Sequence, residues 1–335
     1  MTAIAEQEGS VNINGPAVIK VPDWIENPLG EYYLYFAHHK GDYIRLAYAD
    51  QPAGPWQIYE PGVLSLVDSG FPTQDLPQLS AAAGLAELWQ NLPVRLFRDT
   101  IRVIYKTAVT DQKVRAERGI ALSKTRTPHI ASPEVVVDHD QQRLVLFYHG
   151  QRDSLAQVSR IAVSTDGLVF TTQGDSFPAA YVKSFQLNGK YYLLGALGML
   201  MRSDSLVGPY EIRSRPLFGP EMRHPAVWLD AENSLLRVFW SKIGAAPEHI
   251  LVSEVDVSPG WQQWQATKGR SVLKPELSWE GADLPNMASL RGEISMPARE
   301  LRDPYFFRDT NGSQYLFYTG AVEQVIGLVG VESPN

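Results

Sequence analysis

The residues of this chain best suited to chemistry gather beside prolines and at the ends of aromatic runs. Arg302-Asp303 precedes Pro304, Arg223-His224 precedes Pro225, Asn14-Gly15 precedes Pro16, and Glu134 follows Pro133. Five of the seven histidines, His38, His39, His129, His149 and His224, fall in the same two contexts. Two carboxyl groups can divide acid–base work when one stays protonated and the other ionised. Imidazole and guanidinium groups beside them suit hydroxyl groups or an anion. Central histidines could also hold a metal ion through water. Their spacing, however, matches no tight ligand motif such as His-Glu-x-x-His, so no metal or other cofactor is expected.

These groups lie far apart in sequence, so only a repeated architecture brings them together. Five segments share one pattern: a short apolar run, a turn, an aromatic-rich strand and a third strand. They begin at "NGPAVIKVP", "SPEVVVDHD", "YVKSFQLNG", "HPAVWLDAE" and "DPYFFRDTNG", with second strands such as "YYLYFAHH" and "QYLFYTG". Strand-forming runs joined by Asn-Gly, Asp-Gly or Asp-Ala-Glu turns read as antiparallel meanders. Pro133, Tyr181 and Pro225 recur at about 45 residues, a period of blade size. A single meander cannot bury both of its faces, and radial packing solves that while leaving only short edges. The prediction is an all-β, five-bladed β-propeller, with residues 1–335 forming a single domain. The phrases "AYADQPAGPWQIY" and "MRSDSLVGPYEIR" then mark the same outer-strand corner of two blades.

Residues 63–127 read as a partly helical insertion between blades one and two. "DLPQLSAAAGLAELWQNL" suits one helix. Val94, Phe97, Ile101, Ile104 and Ala108 step by three and four into a second, ending near Gly119. Ile, Val and Thr in that second stretch also allow a sixth blade. Between Trp261 and Pro304, "ELSWEGADLPNMASLRGEISMPARE" is a long loop expected over one end of the propeller.

In a meander, the start of the first strand and the end of the second share one end of the blade. Innermost strands surround the axis, so these positions converge from five directions. That geometry selects Asn14, Glu134, Arg223, His224, Arg302 and Asp303 from strand starts, and His39 and His149 from strand ends. His38 and His39 point to opposite faces, and His39 is preferred. Asp23 and Glu26 fall in a hairpin at the far end and are excluded. Trp24, Trp56, Trp89 and Tyr33 could stack on sugars, but aromatic residues at such positions usually serve the core.

The chain has 335 residues, 44% hydrophobic and 20% charged, with a net charge of −7. An acidic balance gives no support to nucleic acid or an anionic membrane as partner. The absence of cysteine excludes disulfides and thiolate metal sites. "MTAIAEQEGS" lacks the basic start and apolar run of a secretory signal, and a cytoplasmic location is expected.

"RDPYFFRDTNGSQYLFYTG", together with "GPW" and "GPY" after Asp corners, resembles the blade signature of the five-bladed glycosidases, the arabinanase, xylosidase and fructosidase relatives. The resemblance spans most of the chain except the insertion. It implies a carbohydrate-active enzyme, a glycoside hydrolase at the channel mouth acting on a small-molecule or oligosaccharide ligand. It makes Asp303 the match to a catalytic Asp-Pro aspartate, with Arg302 holding substrate or keeping that carboxylate ionised. Glu134 is the leading partner carboxyl, with Glu300 and Glu293 in reserve. Asn14, His39, His149, Arg223, His224 and Arg302 would bind substrate. Two departures stand out: blade one offers Asn14-Gly15-Pro16 in place of Asp-Pro, and blade three opens with Tyr181 where Pro would stand. With one aspartate of the expected ring present, a phosphate-dependent phosphorylase is an alternative reading. A noncatalytic sugar-binding propeller, or one recruited to other chemistry, is another. The plain alternatives for the two carboxyls are a turn cap at Asp303 and a paired rim carboxylate at Glu134.

Overall fold

The computed structural model describes residues 2–5, 12–77, 110–118, 120, 125–154, 156–292 and 296–332. Five four-stranded antiparallel sheets follow one another along the chain. Blade I comprises Asn14–Lys20, Tyr32–Ala37, Tyr43–Ala49 and Gln57–Ser65. Blade II comprises Ile130–Asp138, Arg143–Gln151, Gln157–Ser164 and Thr171–Phe177. Blade III is shorter, with Lys183–Leu187, Lys190–Leu194, Leu200–Ser203 and Glu211–Ile212. Blade IV comprises Met222–Asp230, Leu235–Lys242, Ile250–Asp256 and Arg270–Leu273. Blade V comprises Leu301–Arg308, Gln314–Gly320 and Val325–Gly330.

The five-bladed propeller expected from the repeat is therefore the observed fold. Its second strands explain the aromatic-rich runs. All six residues of Tyr32–Ala37 are buried, because neighbouring blades cover both faces of the sheet. A half-exposed strand would alternate; a strand covered on both sides reads as a continuous apolar run. Between blades IV and V, Trp228 stacks on Phe306 with ring centroids 4.9 Å apart, large apolar area with a defined geometry.

The two Gly-Pro corners are equivalent, as the repeated phrase implied. Gly54-Pro55 and Gly208-Pro209, both cis, each join the third strand to the fourth. The fourth strand of blade V, by contrast, was not anticipated. It comes from the other end of the chain: Thr2–Ala5 pairs antiparallel with Val325–Gly330. This pairing closes the ring and covers an edge that would otherwise expose its backbone donors and acceptors.

Within the insertion, residues 110–117 are helical, inside the span assigned to the second helix. Residues 78–92 of the expected first helix, the whole 94–108 stripe, Trp89 and Glu293 lie outside the described residues, and the described start of that expected helix, Leu76–Pro77, is strand instead. Leu76–Pro77 pairs with Thr125–Arg126 as a short ribbon. The described sheets supply no sixth blade. The loop after Trp261 contributes the outer strand Arg270–Leu273 to blade IV. Its later part reaches the channel end, where the Leu290 carbonyl accepts from Arg223 Nη2. There the insertion helix docks on the loop: Arg115 Nη2 donates to the Arg291 carbonyl and Arg118 Nη1 to the Ala288 carbonyl at 3.1 Å.

Candidate active site

Each inner strand begins with a residue in the left-handed region: Gly15 (φ 59°), Ser132 (φ 48°), Tyr181 (φ 56°), His224 (φ 45°) and Asp303 (φ 47°). In four blades the pairing register shifts at this point, as expected of a bulge that re-aims a side chain. A side chain rarely tolerates this backbone, and such strain clusters where a site over-determines it. Gly15 has a simple reason: a Cβ there would lie 2.6 Å from Ser132 Cα. The five residues line one small hollow with Lys183, Pro225 and Pro304.

This ring corrects the reading of blade III by one residue. Tyr181 occupies the place of the residue before proline, and Val182 stands where Pro16, Pro133, Pro225 and Pro304 stand in the other blades. Without a proline to mark the bulge, no local pattern singles out the position.

Asp303 is buried. His224 Nδ1 lies 2.6 Å from its Oδ1, and Thr319 Oγ1 donates to Oδ2 at 3.1 Å. His224 also lines the hollow, so these two sequence-selected residues meet at the axis. Glu134 faces elsewhere. Its Oε1 accepts from the Ser184 amide and hydroxyl at 3.0 and 2.9 Å, and its Oε2 lies 3.2 Å from Lys183 Nζ. Lys183 is the link between the two carboxyls. It donates to the Pro133 carbonyl at 3.0 Å and rests 4.6 Å from the centre of the Tyr305 ring. Burial pulls its ammonium down from the usual lysine value, against the pull of Glu134 and Asp303.

Arg302, Arg223, His39 and Asn14 form a buried network behind the ring. The Arg302 guanidinium is 1% exposed and stands among three carboxylates: Glu248 at 3.5 Å, Glu323 at 3.3 Å, and Glu300. Arg223 Nη1 reaches Glu248 at 3.0 Å. Burial pushes the Glu300 carboxyl up, with Arg302 pulling the other way. Burial also pushes Glu323 up, but His39, Arg302 and His224 together hold it well below the usual range. Glu323 is the hub, receiving His39 Nδ1 at 3.2 Å, Asn12 Nδ2 at 2.8 Å and Asn14 Nδ2 at 3.3 Å. It sits on a turn in which Ala321, Val322 and Glu323 all take left-handed φ. His39 turns inward as expected, while the His38 ring accepts from the Lys40 amide in its own turn.

His149 is 1% exposed, and neither ring nitrogen has a hydrogen-bond partner. Burial, with His129, His39 and His224 nearby, holds its pKa well below the usual histidine value, so the ring is neutral. It packs 4.2 Å from the Tyr181 ring, which also meets His224 at 4.5 Å. Tyr181, Lys183, Glu248 and Glu323 are the site residues that sequence reasoning missed. Lys183 was detectable, two residues beyond Tyr181 on the same strand face. Glu248 and Glu323 come from turns that carry no repeat signature. Among the described residues, no three His, Asp or Glu side chains converge as a metal-ligand set, and no helix is long and apolar enough to cross a membrane.

Comparison with known proteins places this geometry in a wider group. No protein-family profile matches the chain. "Uncharacterized protein R118" of Acanthamoeba polyphaga mimivirus is 29% identical over 351 residues, covering 98% of this chain and 85% of the viral protein. Among solved structures, an exo-beta-1,3-galactanase from Phanerochaete chrysosporium with beta-1,3-galactotriose aligns over 99% of this chain at TM-score 0.55 and 10% identity. The chain spans 64% of that protein's length. A GH43 beta-xylosidase/alpha-arabinofuranosidase from a compost microbial metagenome, in complex with xylotriose, aligns at TM-score 0.56 and 10% identity, over 100% of this chain and 94% of its own. An alpha-L-arabinofuranosidase from Lactobacillus brevis aligns at TM-score 0.56 and 10% identity, over 97% and 92%. The chain thus has the five-bladed propeller fold of the GH43 xylosidase, arabinofuranosidase and galactanase structures.

Proposed function

We propose that the protein acts on a glycosidic bond of a small carbohydrate at the mouth of the propeller channel, with Asp303 as the carboxylate that touches the sugar. The observation that carries this reading is the place of Asp303. It is the one carboxylate lining the hollow among the described residues, at the point where five blades converge. Thr319 and His224 fix its orientation and leave acceptor capacity toward the hollow. An ionised carboxylate there would act as base or stabilise positive charge developing on the sugar ring. Shared fold with glycoside hydrolases adds weight by analogy.

Glu134 is the second carboxyl of this reading, yet to serve as acid it must release Lys183 and two donors from Ser184. That engagement favours a second reading, transfer of the glycosyl group to inorganic phosphate. Such a reaction needs fewer carboxyls in the protein, and the Lys183 ammonium and the His224 ring beside Asp303 are donors suited to a phosphate. The test is incubation of purified protein with aryl-glycosides and oligosaccharides, with and without phosphate, and analysis of the released sugars. Free sugar without phosphate supports hydrolysis, and sugar phosphate supports phosphorolysis. Sugar binding without turnover would refute both in favour of a noncatalytic binding propeller. Turnover unchanged in Asp303→Asn would remove the site.

A further inference from the structure

Tyr181 holds the most restrictive position in the ring. Its backbone is left-handed (φ 56°), a conformation a side chain of this size rarely adopts. Its phenol ring is held between the imidazoles of His149 and His224, at 4.2 and 4.5 Å. The ring lines the hollow, and among the described residues its hydroxyl donates to no protein group. Two imidazoles pack against the ring, and among the described residues no protein group accepts from its hydroxyl. Tyr181 is half-buried, and a tyrosine hydroxyl in such a place usually finds a partner.

We propose that the Tyr181 hydroxyl is a ligand-binding donor, working with Asp303 on a single hydroxyl group of a neutral, sugar-sized ligand. This rests on the carbohydrate reading above and adds its second contact. The chemistry selects the ligand class. A carboxylate only accepts, and a protonated phenol beside it is best used as a donor. An alcohol hydroxyl satisfies both at once, donating to Asp303 and accepting from Tyr181. A carboxylate ligand would be repelled by Asp303, and an ammonium group could not accept from Tyr181. Burial, with Asp303 and Glu323 nearby, raises the phenol pKa well above the usual tyrosine value, so the donor proton is retained at any physiological pH. The enclosed part of the hollow is about 10 Å³, room for one water-sized group. That space suits a single hydroxyl reaching in from a sugar ring held at the open mouth.

The test measures binding directly, by titration calorimetry or saturation-transfer NMR, with xylose, arabinose and galactose and the monodeoxy analogues of each. Tyr181→Phe keeps the ring between the two imidazoles and removes only the hydroxyl. The expected result is a loss of about 3- to 10-fold in affinity for the bound sugar, the worth of one neutral hydrogen bond. The melting temperature should be unchanged. One deoxy analogue should lose more affinity for the wild type than for Tyr181→Phe, because the variant keeps only the Asp303 contact to that hydroxyl, a pattern that a packing role does not produce. Equal affinity of wild type and variant, or no binding of any of the three sugars at millimolar concentration, overturns the proposal. Tyr181-dependent binding without glycoside turnover would overturn the cleavage reading alone. Turnover and binding untouched by Tyr181→Phe would overturn this inference alone.

Discussion

Replacing Arg302 by Met probes the network that carries the ring. The guanidinium is 1% exposed and stands among Glu248, Glu300 and Glu323, each no more than 2% exposed. Removing one partner of a buried charge cluster leaves the others uncompensated, which costs about 3–5 kcal/mol. A chain of 335 residues unfolds with an entropy near 0.7 kcal/mol/K, taking about 2.1 cal/mol/K per residue. The melting temperature should therefore fall by about 4–7 °C near pH 8. The pH dependence gives a sharper check. In the wild type, Glu323 is held below its unfolded value. Its stabilisation is therefore present above the unfolded carboxylate pKa of about 4.3 and lost as pH falls through the folded one. In Arg302→Met the balance shifts. Glu300, already pushed up by burial, loses its nearest cation and its folded value rises further above the unfolded one, while Glu323, left with His39, is held down less. A raised folded value means that the folded state takes up protons first, and the variant gains stability as pH falls. The deficit should shrink by half or more between pH 8 and pH 5, read by differential scanning calorimetry at matched ionic strength. A deficit of equal size at both pH values would refute the charge argument and leave only lost packing. A variant as stable as the wild type would refute it outright.

Asp303→Asn should abolish glycoside turnover, by at least about 100-fold if its charge stabilises the transition state, with a small change in melting temperature. Glu134→Gln should chiefly lower the melting temperature, because Lys183 loses its buried counter-charge. A variant that melts like the wild type but has lost turnover, together with one limb of the pH–rate profile, would instead make Glu134 the acid. Gly15→Ala should cost about 2 kcal/mol or more, since both its φ of 59° and the 2.6 Å approach to Ser132 Cα forbid a Cβ; chemical denaturation reads the loss, and a neutral outcome would mean that the ring can relax. Deleting residues 2–5 removes the outer strand of blade V and should lower stability and promote association through the exposed Val325–Gly330 edge, visible by light scattering.

Much of the fold was legible because its signals are local. Asn-Gly and Asp-Gly turns, Gly-Pro corners and aromatic second strands report on neighbours a few residues away, and five copies reinforce one another. The candidate site was legible where a proline marked the bulge, which is why Asp303 and His224 were found and both line the hollow. Blade III lacks that proline, and Tyr181 was placed one residue out of register. The helix at 110–117 falls inside the span expected to end near Gly119, although the stepping residues that suggested that span lie outside the described residues.

Pairing was not legible, because it depends on which groups meet across the axis. The sequence by itself determined five meanders, their order, and a polar rim at one end of the inner strands. Only the tertiary structure decided that Glu134 faces Lys183, that Arg302 gathers Glu248, Glu300 and Glu323, and that the first strand closes the last blade. Strand and turn propensities act over a few bonds. Ion pairing and ring closure act through space, between residues as far apart as Asn12 and Glu323, and no local pattern records a partner at that distance.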